Sequence, residues 1–109
     1  MVVGASVGPL LDAVKPDRWD ELVAASMDVV EVKGVERLDE RVLDGARESI
    51  ESAGMKVWSV HSAFGDSLDL SSPDKGFRAQ GIAGCIDAIK ALRRLGGSVV
   101  VLHSSRLYS

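Results

Sequence analysis

Two imidazoles are the residues of this chain best placed to do chemistry. His61 closes the run Met55-Lys56-Val57-Trp58-Ser59-Val60-His61, and His103 closes Ser98-Val99-Val100-Val101-Leu102-His103. Both runs read as β-strands, and one long helical segment lies between them. In a parallel α/β sheet, residues just past the strand ends surround one mouth, where such folds keep their chemistry. Two neutral imidazoles can hold zinc or a similar ion, but a catalytic zinc usually has three protein ligands plus water. Glu31, in the run Asp28-Val29-Val30-Glu31-Val32, is the only acid at a strand end. Proton transfer beside a carbonyl needs a base with a tuned pKa within hydrogen-bond reach. The expected site is therefore His61, His103 and Glu31, with all three side chains converging at the C-terminal ends of the strands. Phe64, in the loop beyond His61, is expected to wall the substrate pocket.

Each of these residues also has an ordinary explanation. Strand-end histidines often bond to backbone, and Glu31 can be a solvated carboxylate. Asp66 and Asp69 read as turn residues whose oxygens suit local backbone bonds. Trp58 alternates with Lys56 and Val60, so it is expected to pack against a helix. Cys85 lies mid-helix beside apolar residues and reads as a small buried side chain.

The elements that must position these groups follow from periodicity and punctuation. Val2-Val3-Gly4-Ala5-Ser6 reads as a first strand, followed by a loop with Gly8 and Pro9. Pro16 and Asp17 open a helix, since proline is tolerated in the first turn and aspartate can cap. The second strand is Asp28 to Val32. A helix over about Leu38 to Ala53 carries Leu38, Val42, Leu43, Ala46, Ile50 and Ala53 on one face, and Gly54 stops it. After the third strand and a polar loop, Ser72-Pro73-Asp74 reads as a helix start. That helix runs to Leu95, with Phe77, Ile82, Ile86, Ile89 and Leu92 as its expected buried face. Gly81 and Gly84 inside it mark close packing or weaken it. Gly96-Gly97 ends it, and the apolar run Ser98 to Leu102 suits a strand covered on both sides.

Composition narrows the function classes. The chain has 109 residues, 46% hydrophobic and 27% charged, which suits one ordinary globular domain spanning residues 1–109. A net charge of −3 gives no basic footprint, so no nucleic-acid partner is expected. A single cysteine forbids an intrachain disulfide and a cysteine-rich zinc site. No apolar stretch approaches the roughly 18 residues of a spanning helix, and no secretory signal is visible. A cytoplasmic protein with no membrane partner is the expectation.

The order β-α-β-α-β-α-β implies right-handed crossovers and a parallel sheet. Two α/β architectures fit it: an open doubly wound sheet, or the first half of a (β/α)8 barrel. The first has Gly4-Ala5-Ser6-Val7-Gly8 as a nucleotide-type loop, but Leu10 stands where a third glycine belongs and Pro9 and Pro16 interrupt the helix. For the second, Asp28-Val29-Val30-Glu31-Val32, the stretch Ala53 to Phe64, the loop Leu68-Asp69-Leu70-Ser71-Ser72-Pro73-Asp74, and Leu95-Gly96-Gly97 through His103 resemble successive segments of one family. That family is the xylose-isomerase-like barrels, the sugar phosphate isomerase/epimerase superfamily. The resemblance covers nearly all of this chain and about half of a barrel of about 250 residues.

The resemblance implies a partial TIM barrel of four parallel strands in order, with three helices on one face. It implies a divalent metal, zinc or manganese, in the complete barrel, with His61 and His103 as candidate ligands, and metal-assisted proton transfer on a sugar-like hydroxy-carbonyl substrate, with Glu31 as the candidate catalytic carboxylate. The related endonuclease IV-type enzymes, which cut DNA at abasic sites, use histidines after strands three and four as zinc ligands, and His61 and His103 match those positions; in the epimerases of the superfamily the metal ligands come mainly from later strands, and the corresponding histidines more often line the substrate pocket. An abasic-site nuclease is thus the alternative function, and a nucleotide-binding module the third. The segments after strands two to four carry Lys33, Arg37, Lys75 and Arg106 against Glu36, Asp66, Asp69 and Asp74, a balance that favours the isomerase. The pattern reads as unfinished, so weak metal affinity and no turnover are expected of this chain alone. It is expected to be a fragment, a half-barrel that forms a homodimer through exposed strand edges, or a small inactive open sheet.

Overall fold

Strands and helices alternate along the described part of the chain, residues 2–13 and 16–103 of a computed structural model. The elements are β1 (Gly4–Pro9), α1 (Leu10–Ala13), α2 (Pro16–Ala24), β2 (Val29–Lys33), α3 (Glu40–Ser52), β3 (Lys56–His61), α4 (Lys75–Leu95) and β4 (Val99–Val101). A 3-10 turn at Asp66–Leu68 lies between β3 and α4. All strands pair parallel, in the order β1-β2-β3-β4. A doubly wound nucleotide fold would hold β1 inside the sheet; here β1 is an edge, so the sheet is the partial barrel. Arg106, counted above among the mouth cations, lies outside the described residues.

Alternation across the strands separates two faces. Val30 and Val32 of β2 and Val57 and Val60 of β3 point toward the helices and are buried. They meet Leu43, Ala46 and Ile50 of α3, Ala88, Ala91, Leu92 and Leu95 of α4, and Trp19 of α2 in one core. Completely burying Ile50 is worth about 1.5–3 kcal/mol. Glu31 and Lys33 of β2, one residue out of phase with the valines, lie on the other face, which carries no helix among the described residues.

Local chemistry sets the helix ends. Asp39 caps α3, its carboxylate accepting from the Arg41 N–H at 2.7 Å. Asp74 caps α4, accepting from the Phe77 N–H at 2.9 Å. Ser72, expected as the cap, instead accepts from the Asp74 N–H at 3.1 Å, so Pro73 precedes the helix and does not begin it. Gly96 closes α4 in the left-handed region, at φ 77°. Arg94 of α4 bridges Asp44 of α3 through two hydrogen bonds of 2.6 and 2.8 Å.

Two further expectations are corrected. The buried face of α4 is the small-residue stripe Gly81, Ala88 and Ala91, with Leu92 and Leu95. Ile82, Ile86 and Ile89 are 54%, 47% and 45% exposed, and Phe77 is also exposed. Small residues let the helix lie close on its neighbours; a Cβ at Gly81 would collide with the Leu68 carbonyl oxygen. Trp58 does not pack against a helix. The register slips between Val30 and Glu31, which pair with Val57 and Ser59, so Trp58 is the extra residue of a bulge. It is 51% exposed beside Val2, Gly4 and Val29 on the helix-free face.

Candidate functional site

β3 and β4 end side by side, with His61 paired to Val101 and His103 two residues further on. The side chains close the gap: His61 Nε2 and His103 Nε2 lie 2.9 Å apart, with ring centroids 4.7 Å apart. A second contact fixes the direction of that bond. His61 Nδ1 lies 3.1 Å from the Ser62 carbonyl oxygen, which can only accept, so Nδ1 carries the proton. In the neutral ring Nε2 is then the acceptor, and His103 Nε2–H donates to it. Phe64 lies over His103 with centroids 4.5 Å apart and an interplanar angle of 37°. Phe64 is 41% exposed, so this stack is open to solvent on one side.

Glu31 stands lower on the sheet. It pairs with Ser59, two residues before His61, a step of about 6.6 Å along the strand. The Ser59 hydroxyl donates to Glu31 Oε1 at 3.0 Å. β2 continues to Lys33, which pairs with His61, so Glu31 lies within the strand and does not close it. The structure thus brings the two histidines and Phe64 together and sets Glu31 on the same face below them.

Residues that the spacing did not single out complete the mouth. Glu36, after β2, accepts from the Ala63 N–H at 2.7 Å and ties that loop to the segment carrying His61 and Phe64. Lys33, Gly34, Glu36, His61, Ser62, Ala63 and Phe64 line one shallow cavity. Ser62 is buried, with its hydroxyl 4.0 Å from Cys85 Sγ; Cys85 is half-buried on α4. Asp69 is buried in the following loop, where its Oδ1 accepts from the Ser71 N–H at 2.8 Å and hydroxyl at 2.6 Å. The only sequence signal for Glu36 is its place just after Gly34, which turns the chain at φ 68°.

The histidine pair can be tested against a metal. Two nitrogens on one tetrahedral ion, at bonds of about 2.0–2.1 Å, stand about 3.3 Å apart. The Nε2 atoms are within half an ångström of that separation, and His61 already presents its lone pair. His103 must give up its Nε2 proton or carry it on Nδ1. Among the described residues, no group of three or more His, Cys, Asp or Glu side chains is arranged to hold a metal ion. The pair therefore fits two places of a coordination sphere and leaves the others to water or to groups elsewhere.

Known proteins supply the family. A comparison with curated protein sequences finds no match. Among solved structures, 3-keto-D-glucoside 4-epimerase YcjR from E. coli, in its apo form, aligns with a TM-score of 0.72 at 16% identity. The alignment covers 95% of this chain and 38% of the epimerase chain, so this chain spans well under half of that relative's length. At that identity the likeness is one of fold. The family model described as xylose isomerase-like TIM barrel matches residues 19–108. A match over that much of the chain, on a parallel sheet of the same order, makes this protein a member of the xylose isomerase-like TIM barrel family.

Proposed function

We propose that this chain carries the metal-anchoring part of a sugar isomerase or epimerase site, which acts on a small hydroxy-carbonyl substrate when the barrel is complete. The observation that carries the reading is the 2.9 Å approach of His61 Nε2 and His103 Nε2 at adjacent strand ends. A divalent ion, zinc or manganese, bound there would polarise the substrate's carbonyl oxygen. His61 is aimed by its Nδ1–H bond to Ser62, which leaves Nε2 unprotonated, with a lone pair able to ligate once His103 no longer donates to it. Phe64 offers an apolar wall beside His103 for the substrate's carbon face. Glu31, held by Ser59, is the carboxylate that moves a proton on the substrate. The charge at the mouth supports a small molecule: Lys33 stands with Glu31 and Glu36, whereas duplex DNA is held by Lys and Arg on phosphates.

Two imidazoles leave most of a coordination sphere to water, so the single chain should bind metal weakly and show no turnover. Calorimetric titration with zinc and manganese tests the anchor. Wild-type protein should bind with a Kd weaker than about 1 µM, the range left to an incomplete ligand set. A His61→Ala/His103→Ala double variant should not bind. Undiminished binding by the double variant would remove the histidine pair from the site.

A further inference from the structure

We propose that Glu36 is a positioning residue of the histidine site: its carboxylate holds the segment after β3 so that Phe64 lies on His103, and through that ring it orients the His61–His103 pair. The inference rests on the reading of this mouth as a metal anchor and adds to it the residue that aims the anchor.

The first observation is how the chain brings Glu36 there. β2 ends at Lys33, which pairs with His61. Gly34 then turns the backbone aside at φ 68°, and Arg37 turns it again at φ 60°. A residue with a Cβ seldom adopts the left-handed region, so the turn at Arg37 is held by its surroundings. Val35, only 1% exposed, packs into the core between the two turns. Its carbonyl oxygen accepts from the Leu38 N–H at 3.4 Å. Glu36, half-buried, therefore stands on a short loop anchored on both sides of it.

The second observation is the bond that Glu36 makes. Beyond His61 the segment after β3 still needs partners on both sides. Toward β4, the Ser62 N–H donates to the Val101 carbonyl oxygen at 2.9 Å. Toward β2, Gly34 has turned the backbone away, and the carboxylate supplies the acceptor: the Ala63 N–H donates to Glu36 Oε1 at 2.7 Å. A side chain thus adds one rung to the sheet past the end of β2. The acceptor is ionised, which makes this a strong kind of hydrogen bond. The chain then turns at Gly65, whose carbonyl oxygen accepts from the Leu68 N–H at 3.0 Å.

The third observation is what that rung carries. Phe64 follows Ala63 directly, and its ring lies on His103 with centroids 4.5 Å apart. His103 Nε2 in turn lies 2.9 Å from His61 Nε2. A phenyl ring has no hydrogen bond to aim it, so its direction comes from its backbone and its packing. Among the described residues no hydrogen bond joins Glu36 to either imidazole; it acts through Ala63 and Phe64, which line one cavity with it and His61. Without the carboxylate the Ala63 N–H turns to water, and Phe64 leaves the face of His103. Groups that orient metal ligands from outside the coordination sphere typically govern affinity by about 10–100-fold.

Histidine-ring proton NMR on the full chain, run beside zinc titration, tests the proposal. Phe64→Leu marks where the His103 ring protons resonate without the aromatic neighbour. Glu36→Ala should move them most of the way to that position and weaken zinc binding by about tenfold. Glu36→Gln keeps an oxygen that can accept the same bond and should restore both. The Trp19 indole N–H, which donates to the Ser49 hydroxyl at 3.3 Å, reports on the core away from the mouth and should stay in place in every variant. His103 signals of Glu36→Ala at their wild-type positions would overturn the proposal. So would a Glu36→Gln protein that behaves like Glu36→Ala, a zinc affinity unchanged where His103 has moved, or a Trp19 signal that moves as well, which makes Glu36 a residue of the fold. Wild-type protein that binds no zinc would instead remove the metal reading, and the His103 shifts alone would then decide whether Glu36 positions the pair.

Discussion

Gly81→Ala and Gly84→Ala apply one chemical change to one helix, and the structure assigns them opposite signs. Alanine in a helix interior is favoured over glycine by about 0.8–1 kcal/mol. At Gly84 nothing lies within 4 Å of the added methyl, so that gain should appear nearly whole. At Gly81 the methyl meets the Leu68 carbonyl oxygen, with the Leu68 carbonyl carbon and Leu70 Cδ2 each 3.0 Å away. Backbone cannot swing aside as a flexible side chain does. Overpacking of this kind costs about 1–3 kcal/mol. Gly81→Ala should therefore destabilise by about 1 kcal/mol, as the packing cost outruns the propensity gain, while Gly84→Ala stabilises by up to about 1 kcal/mol. For a domain of this size each kcal/mol moves the midpoint by about 4–8 °C. Paired thermal and urea melts read the difference directly. A Gly81→Ala protein as stable as Gly84→Ala would refute the close seat of α4 on the 3-10 turn.

Two further outcomes follow from single contacts. The Arg94 guanidinium bonded to Asp44 holds that carboxyl below its ordinary value of 3.8. Its contribution is thus full above the unfolded pKa and is lost as pH falls through the lower folded value; Asp44→Asn should lower stability at neutral pH and flatten the loss below about pH 4, read by melts across that range. Ser59→Ala removes the donor to Glu31 and should cost about 1 kcal/mol, discounted from a fully buried charged hydrogen bond because Glu31 is half exposed; an unchanged urea midpoint would show that Ser59 does not hold the carboxylate.

The alternation of strands and helices was legible because each element carries its own punctuation. Valine-rich runs end at Gly34 and His61, and Gly54 and Gly96 stop helices whose neighbours continue as strands. The strand order then followed from right-handed crossovers over short connections. The face of α4 was not legible, since that helix holds two stripes at helical spacing, one bulky and one small. Only the close seat on Leu68 and the core shows that the small one faces inward. Trp58 escaped for a related reason: a bulge breaks the period of two, and nothing in Val57-Trp58-Ser59-Val60 marks the extra residue. The histidines could be found because strand ends are visible in sequence. Glu36 could be placed among the charges after β2, but its tie to the His61 segment could not be read, because its partner is the backbone N–H of Ala63, which any residue other than proline supplies.

The most direct test of the site is the state of its four imidazole nitrogens. Long-range proton–nitrogen NMR on histidine-labelled protein separates Nδ1 from Nε2 in each ring. Without metal, His61 should appear as the Nδ1–H tautomer and His103 as the Nε2–H tautomer, as the Ser62 carbonyl bond requires. On addition of zinc, both Nε2 resonances should move together to metal-bound positions, with both remaining protons on Nδ1. Zinc that shifts one ring alone, or that engages an Nδ1, would contradict the anchor formed by His61 and His103.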